Sequence, residues 1–175
     1  MIRFLRSLGA WSLLALLVGL AVLLEQRRSP AETIASGENK AIHVIDGDSL
    51  RVDGREIRLG GIDAPEYRQT CKDAAGMDWP CGHEARAAME RLVAAGGLVC
   101  RKSAEDRYGR ALSTCRTKGG DLAEALARAG WAEGAGDPRF TEPQAAIAEA
   151  RRAKRGIWRG THQRPAEWRK VNAPS

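Results

Sequence analysis

The sequence predicts an α+β domain: a small closed barrel of five short strands with three helices packed on it. Three observations predict it. Apolar residues alternate with polar ones in short runs after residue 40, which is the period of a strand. An Asp53-Gly54 step separates two of these runs and marks a two-residue hairpin turn. Three later segments carry helix start and stop signals. Five strands this short cannot make a two-sided sandwich of useful size, so a closed barrel covered by helices is the expected solution.

Residues 1–28 read as a leader, an N-terminal hydrophobic helix acting as a signal peptide or membrane signal-anchor. Its 17 uncharged residues, Leu8 to Leu24, are flanked by Arg3 and Arg6 and by Arg27-Arg28. That length is short for a membrane span and long for a signal-peptide core. Membrane contact through residues 8–24 is expected if the leader is uncleaved. Arginines at both ends leave its orientation unset. Residues 29–39 are polar and turn-rich, as in a flexible linker.

The domain is expected over residues 40–160. Ile42 and Val44, Leu50 and Val52, and Ile57 and Leu59 mark the first three strands. With Asp53-Gly54 at the turn, Leu50 faces Ile57, Arg51 faces Glu56 and Ser49 faces Arg58, so apolar meets apolar and opposite charges meet. "HEARAAMERLVAAGG" gives the first helix, ending at Gly96. "LVCRKS" and "ALSTCRT" are the last two strands. "DLAEALARAG" opens on Asp121 with Glu124 three residues later, a capping-box pattern, and stops at Gly130. "TEPQAAIAEARRAKRGIW" opens on Thr141, carries Pro143 in its first turn and stops at Gly156. Glu66 to Cys81 reads as a surface excursion, and 161–175 as a basic, disordered tail.

The net charge of +6 suits an anionic partner without naming one. The four cysteines include no C-x-x-C pair, which argues against a zinc ribbon. An even count behind an export-like segment favours two disulfides, with three pairings open. A mixed metal site of Cys71, Cys81 and His83 is the other use considered. The expected compartment is extracytoplasmic.

"HVIDGDSLRVDGREIRLGGIDAPE" places Asp46, Asp48, Asp63 and Glu66 around strand ends. By side-chain parity Asp48 continues the row of Leu50 and Val52, and Asp63 the row of Ile57 and Leu59. Both would then face the core, where an uncompensated carboxylate is costly. A cation or a raised pKa is expected there. Gly60-Gly61 offers the bend that brings the two together, and the donors suit a hard ion such as Ca²⁺. An EF-hand is excluded, since Ile57 stands where that loop needs Glu and no glycine falls at its sixth place. Asp46 and Asp53 suit turns as well as function. Arg58, taken alone, reads as an exposed strand arginine, and "DRYGR" as a plain hairpin tip.

Together, "VIDGDSLRV", "IRLGGIDAPE" and "EDRYGRALS", in this order and at this spacing, resemble the staphylococcal-nuclease-like (thermonuclease) domain family. "LAEALARAGWA" and "AKRGIW" fit its last two helices. The resemblance covers Lys40 to Trp158 and implies a five-stranded OB-fold β-barrel with three helices. It implies that Asp48, Asp63 and the backbone carbonyl of Ala64 bind Ca²⁺, with Asp46 in the outer shell. It assigns Glu66 as general base, and Arg58 and Arg110 as catalytic arginines gripping the scissile phosphate. Arg107 and Tyr108 would contact a neighbouring phosphate. Cys71–Cys81 would pin the excursion after Glu66, and Cys100–Cys115 would close the hairpin carrying Arg110.

The implied activity is a calcium-dependent endonuclease hydrolysing phosphodiester bonds of DNA and RNA, leaving 3′-phosphate ends. The alternative is a catalytically silent OB module binding nucleic acid or protein. Silent members lack parts of the acid–arginine set, and every part is present here. A monomer without a protein partner is expected, periplasmic or secreted, or anchored to a bacterial inner membrane by its N-terminus. Three departures stand out. Ala64 replaces a threonine, Gly60-Gly61 replace bulky apolar residues, and the segment after the middle helix carries Phe140 in place of tyrosines.

Overall fold

In the computed structural model, residues 16–19, 32–35 and 41–172 are described. The chain divides into two units, residues 1–31 and 32–175. Of the first, residues 16–19 are helical; the rest of the expected leader and part of the expected linker lie outside the described residues. Among the described residues no helix is long and apolar enough to cross a membrane.

The second unit is α+β. Its main sheet takes the order β1 (Thr33–Ala35), β8 (Val99–Glu105), β9 (Ala111–Thr117), β4 (Arg55–Leu59), β3 (Ser49–Val52), β2 (Ile42–Val44), and β10 (Gly120–Asp121) also pairs with β9. The sheet is mixed, with β4 and β9 parallel and the other pairs antiparallel. Two small ladders join β5 (Ile62–Asp63) to β11 (Glu133–Gly134), and β6 (Cys71–Lys72) to β7 (Asp78–Trp79). The helices are α1 (Cys81–Val93), α2 (Leu122–Ala129), α3 (Gln144–Arg152) and α4 (Pro165–Val171), with a 3₁₀ turn at Gly156–Arg159.

The β3–β4 hairpin has the predicted register: Leu50 opposite Ile57, Arg51 opposite Glu56, Ser49 opposite Arg58. Asp53 and Gly54 both take positive φ, 49° and 82°, as a type I′ turn requires. Leu50, Ile57 and Leu59 are buried with Met89 of α1 and Leu122 and Leu126 of α2. The Asp121 side chain accepts the Glu124 N–H at 3.0 Å, capping α2, and Gly130 closes it in the left-handed conformation. Both disulfides form, Cys71–Cys81 and Cys100–Cys115; the second joins directly opposed residues of β8 and β9.

Several expectations need correction. The ladder runs from β1 to β2 without closing among the described residues, because β1 takes the outer edge of β8. That strand lies inside the segment read as a flexible linker. The third helix begins at Gln144 rather than near Thr141, with Pro143 as its cap, and ends at Arg152. Lys154 turns to positive φ there and the chain enters the 3₁₀ turn. The segment read as a disordered tail is tied down. Lys72 and Thr161 exchange backbone hydrogen bonds, and Pro165 starts α4.

Candidate active site

The Asp46–Asp48 turn joins β2 to β3. Ile45 and Asp46 donate their N–H groups to the Ser49 carbonyl, at 2.9 and 3.3 Å. Asp46 Oδ1 accepts the Asp48 N–H at 2.9 Å, the side-chain-to-backbone bond that makes aspartate a turn former. The turn lies against Ala64: a Cβ on Gly47 would stand 2.7 Å from the Ala64 Cβ. Asp48 is buried because its oxygens are satisfied within this contact. Its Oδ2 accepts the Ala64 N–H at 2.9 Å. Its Oδ1 accepts from Ser49 Oγ at 2.9 Å and from Arg58 Nη1 at 2.6 Å.

Asp63 arrives from the other side. Gly60 and Gly61 break β4 and turn the chain into β5, where Asp63 pairs with Glu133. Asp63 Oδ1 accepts from Arg58 Nη2 at 2.5 Å. One guanidinium therefore bridges the two aspartates predicted to converge. The parity argument reaches the right burial for an incomplete reason. Asp48 sits in a turn and Asp63 beyond a bend, so neither continues a regular strand, and Arg58 reaches both.

Arg58 and Arg110 come to one cleft through the parallel β4–β9 pairing. Arg58 is in register with Leu112, so Arg110, two residues before Leu112, falls on the same face. A cleft of about 770 Å³ is lined by Arg58, Arg107, Tyr108, Arg110, Arg139 and Lys170, among others. Asp106 accepts from Arg110 Nε at 2.8 Å and from its backbone N–H at 3.0 Å, and the Arg107 and Arg110 guanidiniums lie 5.5 and 5.6 Å from the exposed Tyr108 ring. Glu66 lines an adjoining 480 Å³ cleft with Tyr108, Arg110, Trp168 and Arg169. Gln69, fully buried, shapes the Glu66 turn by accepting the Glu66 N–H at 3.2 Å and donating its own to the Glu66 carbonyl at 2.8 Å.

The residue missed in the sequence is Arg169. It donates from Nη1 to Asp63 Oδ1 at 2.9 Å and to Glu66 Oε1 at 2.8 Å, and from Nη2 to Asp63 Oδ2 at 3.1 Å. Its signal was present: Pro165, Glu167 and Arg169-Lys170 form the proline-first, acidic-start, basic-end pattern of a short helix.

The charges are strongly interdependent. Burial, then the Asp48 charge and the Glu66 charge, push the Asp46 carboxyl up to about 8, against the Asp48 N–H and Arg58. Burial works against the charge on Arg58, yet Asp48 and Asp63 outweigh it and raise its pKa. Arg169 is likewise disfavoured by burial and held charged, its pKa raised, by its bonds to Asp63 and Glu66.

Asp46, Asp48, Asp63, Glu66 and the Ala64 carbonyl are all oxygen donors, the chemistry a hard divalent ion takes. The crowding that raises Asp46 is the kind a cation relieves. Guanidiniums stand between the carboxylates, however, and among the described residues no three His, Cys, Asp or Glu side chains are grouped to hold a metal ion. Cys71 and Cys81 are joined to each other, which excludes them from a metal site with His83. Phe140 is a packing residue: a Cβ on Gly60 would lie 2.1 Å from its ring, so the ring fills the volume that the small Gly60 leaves.

The fold and site define a mixed-sheet α+β domain whose acid–arginine centre opens on a cationic cleft. Residues 56–160 match the family described as Staphylococcal nuclease homologue, and the chain belongs to that family. It is 35% identical over 122 residues, 66% of this chain, to a succinoglycan biosynthesis protein, ExoI, of Rhizobium meliloti (strain 1021). It is 32% identical over 129 residues, 71% of this chain, to a probable staphylococcal-like nuclease, CAN1, of Oryza sativa subsp. japonica. It is 30% identical over 154 residues, 78% of this chain, to the endonuclease YhcR of Bacillus subtilis (strain 168). The matches span 62%, 35% and 12% of those proteins, less than two thirds of each.

Proposed function

We propose that the chain is a calcium-dependent endonuclease that hydrolyses phosphodiester bonds of DNA and RNA and leaves 3′-phosphate ends. The observation that carries the reading is the Arg58 bridge between Asp48 and Asp63, opening on the cleft shared with Arg110. Family membership and the two relatives named as nucleases support it.

Asp48, Asp63 and the Ala64 carbonyl would hold Ca²⁺, with Asp46 as the outer-shell acid. When bound, the ion polarises a phosphoryl oxygen and makes a coordinated water more acidic. Glu66 takes the proton of the attacking water. Water oxygen bonds to phosphorus, the bond to the 5′ oxygen breaks, and that oxygen gains a proton. Arg58 and Arg110 grip the phosphate because a planar guanidinium forks onto two oxygens, which an ammonium cannot. Asp106 orients Arg110 by its Nε edge, which leaves the terminal nitrogens of the fork to face the phosphate. Arg107 and Tyr108 contact the neighbouring phosphate. The protein acts as an extracytoplasmic monomer, in keeping with its two disulfides, and residues 8–24 anchor it to the inner membrane where the leader is retained.

Digestion of plasmid DNA and of a structured RNA by pure, oxidised protein tests the activity. Calcium should stimulate cleavage of both, a chelator should abolish it, and end-labelling should find 3′-phosphates. Binding without calcium-stimulated cleavage would replace this reading with the silent binding module. The mass of the mature N-terminus tests the leader.

A further inference from the structure

The C-terminal helix hydrogen-bonds to the carboxylates of the site through one side chain, Arg169. The chain leading into it is firmly held. Lys72 and Thr161 pair through their backbones, Gln69 Nε2 donates to the Gln163 carbonyl at 2.7 Å, and Arg164 Nε donates to Glu133 Oε1 at 2.7 Å. Burial acts against ionised Glu133, but the bonds with His162 and Arg164 prevail and lower its pKa. Beyond Arg164, among the described residues, the side-chain hydrogen bonds from α4 to the rest of the domain are those of Arg169 to Asp63 and Glu66. Val171 is 71% exposed. Seven residues are too few for a helix that stands alone in water.

Those three bonds conflict with the role proposed for the carboxylates. Each carboxylate oxygen offers two acceptor positions. Asp63 Oδ1 already accepts from Arg58 and Arg169, and Oδ2 accepts from Arg169. A calcium ion needs direct contact at about 2.3–2.6 Å to such oxygens, which a guanidinium hydrogen-bonded to both of them blocks. Glu66 Oε1 is likewise occupied by Arg169.

We propose that α4 is a latch whose Arg169 competes with the divalent cation for Asp63 and Glu66, so that ion binding releases the helix from the cleft. The inference rests on the metal role given to Asp63 above. Competition of this kind is reciprocal: whatever the latch takes from ion affinity, the ion takes from latch closure. Residues 161–165, of which Pro165 is buried, act as the fixed hinge, and residues 166–172 swing and melt.

Calorimetric titration of the full chain with calcium chloride, wild type against Arg169→Gln, tests the competition. Coupling energies of the usual size predict affinity about 5–150-fold tighter in the variant. Arg169 is 38% exposed, and circular dichroism should show an intact fold. Hydrogen exchange gives a second readout. Calcium should speed amide exchange in residues 167–171 of the wild type while the Thr161 amide, bonded to the Lys72 carbonyl, stays protected, and Arg169→Gln should show fast exchange in that helix without calcium. Equal affinities with unchanged exchange would overturn the latch, and so would absence of calcium binding in both proteins. If calcium releases α4 but no nucleic acid is cut, the latch stands and the nuclease reading falls. If cleavage is calcium-dependent while affinities match, the reverse holds.

Discussion

Arg58 neutralises two buried carboxylates and is proposed to grip the substrate as well. Arg58→Ala should therefore act on stability as well as turnover. It leaves Asp48, almost fully buried, without its cation and Asp63 with Arg169 alone, and breaking a buried pair costs about 3–5 kcal/mol. Urea denaturation of Arg58→Ala should show a loss of that order, with Arg58→Lys recovering only part, since one ammonium cannot span both acids. Asp46 gives a pH test. Its carboxyl is raised from 3.8 to about 8, so the folded state binds its proton more tightly than the unfolded chain does. The stabilisation is complete below pH 3.8 and is lost as the pH rises towards 8. Asp46→Asn keeps the oxygen that accepts the Asp48 N–H and removes the titration. Denaturation with chelator present, across that pH range, should find the variant increasingly favoured over wild type as pH rises; parallel pH curves would refute the shift. At this scale the burial of Asp48 and Asp63 was legible from period-two parity, whereas Arg58 and Arg110 read by pattern as an exposed strand arginine and a hairpin tip and were singled out by the family resemblance. The ion pairing of Arg58 with Asp48 and Asp63 was not legible, because it depends on the turn at Asp46–Asp48 and the bend at Gly60-Gly61.

Elements with their own local signals were read closely, and those made by tertiary contact were not. The hairpin register follows from one dipeptide and four apolar positions, and α2 from Asp121, Glu124 and Gly130. By contrast β5, β6, β7, β10 and β11 have two residues each, too few for any periodicity; they pair because the chain around them is already placed. Strand β1 was lost to its polar surroundings, and α4 to the basic composition of the tail. The start of α1 has a specific consequence for Glu66. A Cβ on Gly82 would lie 1.8 Å from the Glu66 carbonyl oxygen, a backbone atom that cannot swing away. Gly82→Ala must therefore move the Glu66 turn, at a cost of roughly 1–3 kcal/mol for overpacking. The expected result is a folded protein by circular dichroism with most of its calcium-stimulated cleavage gone; full turnover would show that the position of Glu66 does not matter.

The chain's net charge of +6 gains meaning from where the domain's cations stand, which composition alone could not reveal. Arg58, Arg107, Arg110, Arg139, Arg169 and Lys170 line one cleft, whereas other cations are spent on surface pairs such as Arg86–Glu90 and Lys72–Asp78. A polyanion bound there displaces its counterions, so the logarithm of affinity should fall linearly with the logarithm of salt, by about 0.7 per phosphate contacted on a single strand. Arg107 separates this field from the chemistry, since its guanidinium lies over the exposed Tyr108 ring, away from the Arg58 bridge between the buried acids. Arg107→Ala should weaken binding of a single-stranded oligonucleotide similarly for every sequence and lower the salt slope by about 0.7. Cleavage by the bound complex should change little. Fluorescence anisotropy across a salt series measures the slope, and single-turnover cleavage measures the rate. A slope equal to wild type would remove Arg107 from the phosphate path, whereas a collapse of the single-turnover rate would move it into the reacting centre.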